Sequence, residues 1–227
     1  YRTECGRVWE YRPLKAEYLD HLGSDLSICN AARVSFDKHH AAFDSKSDTR
    51  LIAYLAREGH WTPFAHPQIT LRMTTPIFVA RQLAKHQIGL VWSETSRRYV
   101  DSEPEFYTPD EWRARPENGI KQGSGVAMGD KNQIHADRVY RHIVQSAKNA
   151  YADLLTLGVC PEQARAVLPL STYTSWIWTG SLAAYARICK LRLDSHAQAE
   201  TQEIAQHIAA IIQPLFPVSW PALMAEK

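Results

Sequence analysis

Residues 76–99 read PIFVARQLAKHQIGLVWSETSRRY, and the fold of the chain turns on how that run divides. Pro76 suits the first turn of a helix, where its missing N–H would have no partner anyway. Ile77, Val79, Ala80, Leu83 and Ala84 then form an apolar face, with Gly89 as the natural end of the helix. Next to that end the polar groups crowd: Lys85, His86, Gln87, Ser93, Glu94, Ser96, Arg97, Arg98 and Tyr99. A surface helix spreads such groups opposite an apolar stripe; here they collect where the helix finishes. Lys85, Arg97 and Arg98, with backbone N–H groups of the Gly89–Ser96 turn, make a site for an anion such as a phosphate. Glu94 in the same run points to a ligand that also carries hydroxyl or N–H donors. A solvated, salt-bridged loop accounts for the same residues equally well.

Upstream, Pro67 to Thr74 alternates Ile69, Leu71 and Met73 with Gln68, Thr70 and Arg72, as a half-buried strand does. Ser45 to Gly59 is a helix, with Ser47 and Asp48 as N-cap candidates, an apolar stripe of Leu51, Ile52 and Leu55, and Gly59 as terminator. Ile28 to Phe36 reads as a buried segment ending in Arg33, Ser35 and Phe36, and residues 1–30 as a strand plus a short helix. Downstream, Arg98 to Val100 extends as a strand. Residues 102–131, rich in Pro, Gly and charge, form a long loop or lid. Helices are expected at His135–Leu157 (Val139, Ile143, Ala147, Ala150, Leu154 and Leu155 as its face), Pro161–Leu168, Thr179–Leu191 and Ala197–Ile212. A strand is expected at Tyr173–Trp178. Long helices around a small mixed sheet, with no repeat and no flexible linker, predict an α+β fold in a single domain over residues 1–227.

Composition narrows the function. The chain has 227 residues, 45% hydrophobic and 22% charged, with a net charge of +2. That is ordinary globular composition, without the basic excess of a nucleic-acid binder. No apolar run is long enough to span a bilayer, so no membrane partner is expected. The four cysteines (Cys5, Cys29, Cys160 and Cys189) are scattered, which argues against a disulfide framework or a metal site and for a cytoplasmic setting. No GxSxG, HExxH, GxGxxG or GxxxxGK[ST] pattern occurs, so a redox cofactor would bind outside a Rossmann unit.

A second polar group is Lys190, Arg192, Asp194, Ser195 and His196. Arg192 suits the C-terminal end of one helix, and Asp194 with Ser195 the N-cap of the next. His196 adds a group able to exchange a proton or stack on a ring. Arg165, beside Pro161 and Glu162, is open to the same structural or ligand-binding readings.

Residues 85–99, KHQIGLVWSETSRRY, resemble the signature RHRxxSxNExSxRY of flavin-dependent thymidylate synthases, the ThyX family. NAARVSF at 30–36, GHWTPFAH at 59–66, PIFVARQ at 76–82, QARAVLPL at 163–170 and LRLDSHAQ at 191–198 are similar to further family blocks, in family order. The resemblance implies a homotetramer of α+β subunits that share active sites and bind FAD. The implied reaction is reductive methylation at C5 of a uridylate, dUMP to dTMP, with methylenetetrahydrofolate as carbon donor, NADPH as reductant and no cysteine nucleophile. Gln82, Lys85, Glu94, Ser96, Arg97, Arg98, Arg165 and Arg192 fall at nucleotide-side positions. Among these, Arg98 and Arg165 would hold the phosphate, and Arg192 would polarise the pyrimidine. Ser35, His66, Lys85, His86, Gln87, Ser93, Glu94, Arg187 and His196 fall at flavin-side positions, with His66 facing the folate. Arg192, Glu94 and His66 would carry the chemistry.

The chain departs from the signature at Lys85 and Gln87, where Arg is usual, and at Ser93 and Arg187, where other residues stand. The spacer between Gln87 and Ser96 is also longer than the family's. Because Lys cannot replace the bidentate fork of Arg, two other readings follow. One is the same chemistry on UMP, as in nucleoside-antibiotic pathways. The other is a non-catalytic relative that binds flavin or nucleotide.

Overall fold

The computed structural model describes residues 13–116 and 123–225. The alternation before Pro76 becomes strand β2 (Gln68–Pro76), the inner partner of β1 (Lys15–Leu22) and of β4 (Tyr173–Ser181). β3 (Leu90–Glu94) closes the far edge, giving the order β1-β2-β4-β3. β2 continues directly into helix α3 (Ile77–Leu83), and β3 follows, so the two strands run the same way. β4 lies between them and antiparallel to both. The α+β class is as expected, but the sheet is antiparallel at every pairing rather than mixed.

Register explains the burial. Ile69, Leu71 and Met73 stand opposite Gly180, Trp178 and Trp176, and all share the covered face. The intervening pairs put Thr70 against Thr179 and Thr74 against Ser175, whose hydroxyls bond at 3.0 and 2.9 Å. Trp92 of β3 stacks on Trp176 with centroids 4.0 Å apart, and Trp178 meets Tyr185 edge-on at 5.6 Å. Offset and edge-on contacts of this kind stabilise beyond the area they bury. One cluster of buried side chains runs from Leu14 to Trp220. It takes in α1 (Asp25–Arg33), α2 (Ser47–Arg57), α6 (Leu182–Arg192), α7 (Ala199–Leu215) and α8 (Ser219–Met224).

Several boundaries differ from the sequence expectation, each for a local reason. α3 stops at Leu83, well before Gly89, because the chain must turn back to reach β4; Gly89 sits in that turn with φ 76°. Arg98–Val100 is not a strand. The strand is Leu90–Glu94, whose partner is found only in β4. α6 begins at Leu182 rather than Thr179, since Thr179 and Gly180 still pair with β2, and the Ser181 hydroxyl caps it by accepting from Ala184 N at 3.2 Å.

Neither Ser47 nor Asp48 caps α2. Asp44 Oδ1 accepts from Lys46 N and Ser47 N, while Asp48 is buried against Arg33. The buried reading of Ile28–Phe36 holds for Ile28 and Cys29 but fails beyond Arg33, where Val34 and Phe36 are 74% and 75% exposed. α4 (Asp130–Thr156) keeps only the second half of its expected face: Ala147, Ala150, Leu154 and Leu155 are half-buried beside the buried Val144 and Tyr151, whereas Val139 and Ile143 are exposed.

The described parts of the 102–131 excursion are tied down. Phe106 bridges to Thr172, Tyr107 N donates to Ser171 O at 2.8 Å, and Arg113 bridges to Ala127. The rest of the expected lid, 117–122, lies outside the described residues, as do Cys5 and the first part of the 1–30 reading.

Candidate active site

The turn after α3 organises the site. His86 N donates to Leu83 O at 2.9 Å and Leu90 N to Gln87 O at 3.2 Å, so Lys85–Gly89 folds back on itself. A side chain at Gly89 would press on Ser181 Oγ and Ala184 Cβ at 3.2 and 3.3 Å, which shows how closely this turn lies on the start of α6. From α6, Arg187 donates to Ile88 O, and Arg192 Nε donates to His86 Nε2 at 3.1 Å.

Accepting at Nε2 puts the His86 proton on Nδ1. Burial, reinforced by Arg192 and Arg187, pushes the imidazole down to about 4, so His86 is neutral at pH 7. Burial also draws the Arg192 guanidinium below its usual value without bringing it near neutrality.

Arg192 opens onto a cleft of about 800 Å³, lined also by Gln82, Arg113, Asp194, His196 and Gln198. Gln82 is held from behind by the buried Thr201 hydroxyl, which donates to its Oε1. Asp194 does not cap α7, whose N-cap is Gln198. Its Oδ1 accepts from His196 N at 2.8 Å and meets His196 Nδ1 at 2.9 Å, and both contacts hold the Asp194 carboxyl below its usual range. Of the sequence-predicted residues, Gln82, Arg192 and His196 therefore line the cleft, and His86 stands one hydrogen bond behind it.

A second group gathers at the end of β3. Strand alternation puts Glu94 on the side of Trp92 and Trp176, and Ser93 on the other. Glu94 Oε1 accepts from Thr174 Oγ1 at 2.6 Å and Oε2 from Trp92 Nε1 at 3.1 Å. Beyond it, Ser96 Oγ accepts from Arg98 Nε at 3.2 Å, and Arg97 donates to Ser102 O at 2.9 Å. Arg165 donates to Glu162 O at 3.2 Å. Neither Arg98 nor Arg165 has a carboxylate partner among the described residues, so both are available to an anion.

Only part of the expected Gly89–Ser96 backbone donors remains free, because Leu90 N donates to Gln87 O, Thr95 N to Ser175 O, and alternate N–H groups of β3 pair with β4. Glu94, Ser96, Arg97, Arg98 and Arg165 do not line the cleft. Neither do Ser35, His66, Lys85, Gln87, Ser93 and Arg187, which are all exposed.

The sequence reading missed Arg113, Gln198 and Glu200. Glu200, 5% exposed, accepts from Arg113, from Tyr107 Oη at 3.3 Å and from Gln198 Nε2 at 2.9 Å. Burial opposes its charge, but the Arg113 and Gln198 hydrogen bonds outweigh that and hold the carboxyl below its usual range. No local pattern signals its burial, because an acid in the first turn of a helix is ordinary and Glu203 follows in the same helix.

The sequence profile of the family described as thymidylate synthase complementing protein matches residues 17–218. The chain is 38% identical over 218 residues to a flavin-dependent thymidylate synthase of Thermosipho africanus, covering 95% of this chain and 94% of the relative. It is 37% identical over 204 residues to one from Thermus thermophilus, covering 90% and 73%. Its backbone is similar to that of the UMP/dUMP methylase PolB from Streptomyces cacaoi bound with 5-Br dUMP. That match has a TM-score of 0.83 at 30% identity and covers 93% of this chain and 95% of the other. The same methylase bound with 5-Br UMP matches with a TM-score of 0.83, covering 95% and 96%.

Proposed function

The chain belongs to the family described as thymidylate synthase complementing protein, and from that premise we propose that it methylates C5 of a uridylate in a flavin-dependent reaction, converting dUMP to dTMP. Methylenetetrahydrofolate supplies the carbon and NADPH the electrons. The observation that carries this reading is Arg192, at the end of α6, lining the cleft and oriented by a neutral His86. A fixed cation beside the pyrimidine stabilises the negative charge that develops as C5 becomes nucleophilic, and its prior orientation spares reorganisation during the reaction. Because His86 is neutral, it accepts from Arg192 instead of repelling it.

The donor set fits FAD. Lys85 has no ion-pair partner among the described residues, and Arg187 and His86 flank the same turn. The Lys85 and Arg187 cations suit a diphosphate, with the neutral His86 beside them. When bound, FAD supplies the redox chemistry, and the protein's part is positioning. Glu94, already oriented by Thr174 and Trp92, receives N–H or hydroxyl donors of the nucleotide. Ser96, Arg97, Arg98 and Arg165 receive its phosphate, and Gln82 adds a polar contact in the cleft. Ser35, Gln87, Ser93 and His196 complete the flavin side, with His66 toward the folate. Cys29 and Cys189 are poor nucleophiles, because burial pushes their thiols up to about 11 and about 12.

We propose one domain that acts as a cytoplasmic homotetramer. One chain brings Gln82, Arg192 and His196 to a common cleft but leaves Glu94, Arg98 and Arg165 elsewhere. That division supports a site completed by a second subunit. Exposed Ile134, Val139 and Ile143 on α4 supply apolar surface for such contacts. Among the described residues no helix is long and apolar enough to cross a membrane.

A second substrate is favoured by one observation: the methylase of similar fold is described as acting on both UMP and dUMP. Turnover of the two nucleotides side by side, with product methylation read by mass spectrometry, tests this. The proposal expects dUMP to be methylated at least as fast as UMP. Methylation of UMP alone contradicts the dUMP assignment, and methylation of neither supports the non-catalytic relative.

A further inference from the structure

We propose that Arg113 is a further nucleotide-binding residue of the Gln82–Arg192 cleft, pinned in place by the buried carboxylate of Glu200. The inference rests on the uridylate reading of that cleft. Arg113 belongs to the excursion, outside every block that resembles the family, yet it lines the same cleft as Gln82 and Arg192. It also lines an adjoining hollow of about 460 Å³ with Tyr107 and Trp112, so its side chain stands where the two cavities meet.

Its position is enforced from both ends. The backbone is held in a narrow ladder, with Ala114 N donating to Val126 O at 2.8 Å and Met128 N to Trp112 O at 2.8 Å. The guanidinium is held by Glu200 of α7. A guanidinium has several N–H donors, and among the described residues Glu200 takes one of them. A cation serving only to neutralise a buried acid would be hidden with it. Arg113 instead keeps 26% of its side chain exposed against 6% for Glu200.

Pairing with Glu200 leaves the couple without net charge while keeping the remaining N–H groups aimed and available. Such a donor suits a carbonyl of the pyrimidine or a hydroxyl of the sugar, and leaves the phosphate to cations without a carboxylate partner. Orienting the donor beforehand removes a cost that a mobile arginine would incur on binding.

The test uses the full-length flavin-loaded protein and its R113Q, R113K and E200Q variants. Calorimetric titration with dUMP and with UMP gives the affinities; flavin content and the melting temperature are read alongside. R113Q is expected to bind the preferred nucleotide at least roughly tenfold more weakly, as loss of a charged hydrogen bond implies. Its flavin content should be unchanged. E200Q, which keeps Arg113 but frees it, should lose a smaller factor. Unaltered nucleotide affinity in R113Q, with only a lower melting temperature, makes the pair purely structural and overturns the proposal. Loss of flavin at unaltered nucleotide affinity overturns it as well. If R113Q does not fold, R113K, which keeps a cation for Glu200 but not the fork, decides by the same criteria. A wild-type protein that binds neither nucleotide overturns the functional reading together with this inference, whereas tight wild-type binding undisturbed by R113Q overturns the inference alone.

Discussion

His86 and Arg192 share one hydrogen bond, in which His86 is the acceptor that orients Arg192 and Arg192 adds to the burial that keeps His86 neutral. The folded imidazole is pushed from 6.5 down to about 4, by burial first and then by Arg192 and Arg187. Between those values the unfolded chain binds a proton that the folded chain refuses. Stability therefore falls as pH drops from about 6.5 toward 4, and it rises again with pH through the same window. H86Q keeps an acceptor for Arg192 and removes the titration. Its melting temperature should drop less between pH 7 and pH 5 than that of the wild type, and equal drops would argue against a buried neutral histidine. A second residue-scale outcome concerns Asp48, fully buried against Arg33. D48N leaves Arg33 partly buried with no carboxylate and should cost about 3–5 kcal/mol in urea unfolding; a cost below about 1 kcal/mol would place the pair in solvent. At this scale the resemblance singled out His86, Glu94, Arg98 and Arg192, of which Arg192 lines the cleft and His86 stands behind it. Arg113 and Glu200 were not legible, because their pairing spans 87 positions and local pattern carries no trace of it.

At the scale of elements, periodicity identified β2, α2 and most of α4, where one side of a long segment is covered. It failed at β3. LVWSE is short, ends in polar residues and has exposed positions, so only pairing with β4 defines it. Missing that strand put the polar run at a helix end, whereas its Lys85–Gly89 half is a turn and its Ser93–Glu94 part lies on an edge strand. Gly180 is the point at which β4 accepts this neighbour. A Cβ there would lie 2.4 Å from Leu90 Cδ2 and 3.1 Å from Gly89 O, the latter a backbone atom that cannot step aside cheaply. G180A should therefore destabilise by about 1–3 kcal/mol and loosen β3, lowering turnover through Glu94 while leaving the Arg192–His86 contact in place. A variant with wild-type stability and turnover would show that β3 and β4 are not packed as described.

For the whole molecule, the α+β class and the order of blocks were readable, and the family match over 17–218 agrees with them. What a single sequence could not reveal is that Gln82, Arg192 and His196 line one cleft while Glu94, Ser96, Arg97 and Arg98 lie at and beyond the end of β3, outside it. Sedimentation should give a tetramer, and I143E, placed on the exposed face of α4, should shift it toward smaller species with loss of activity. An active wild-type monomer would contradict a shared site.

The central claim is flavin-dependent methylation of a uridylate, and the visible spectrum of the purified, FAD-reconstituted protein tests it most directly. On addition of NADPH, methylenetetrahydrofolate and dUMP or UMP, the flavin absorbance should bleach and a singly methylated nucleotide should accumulate. A protein that takes up no flavin, or one that bleaches and reoxidises while neither nucleotide gains a methyl group, would contradict it.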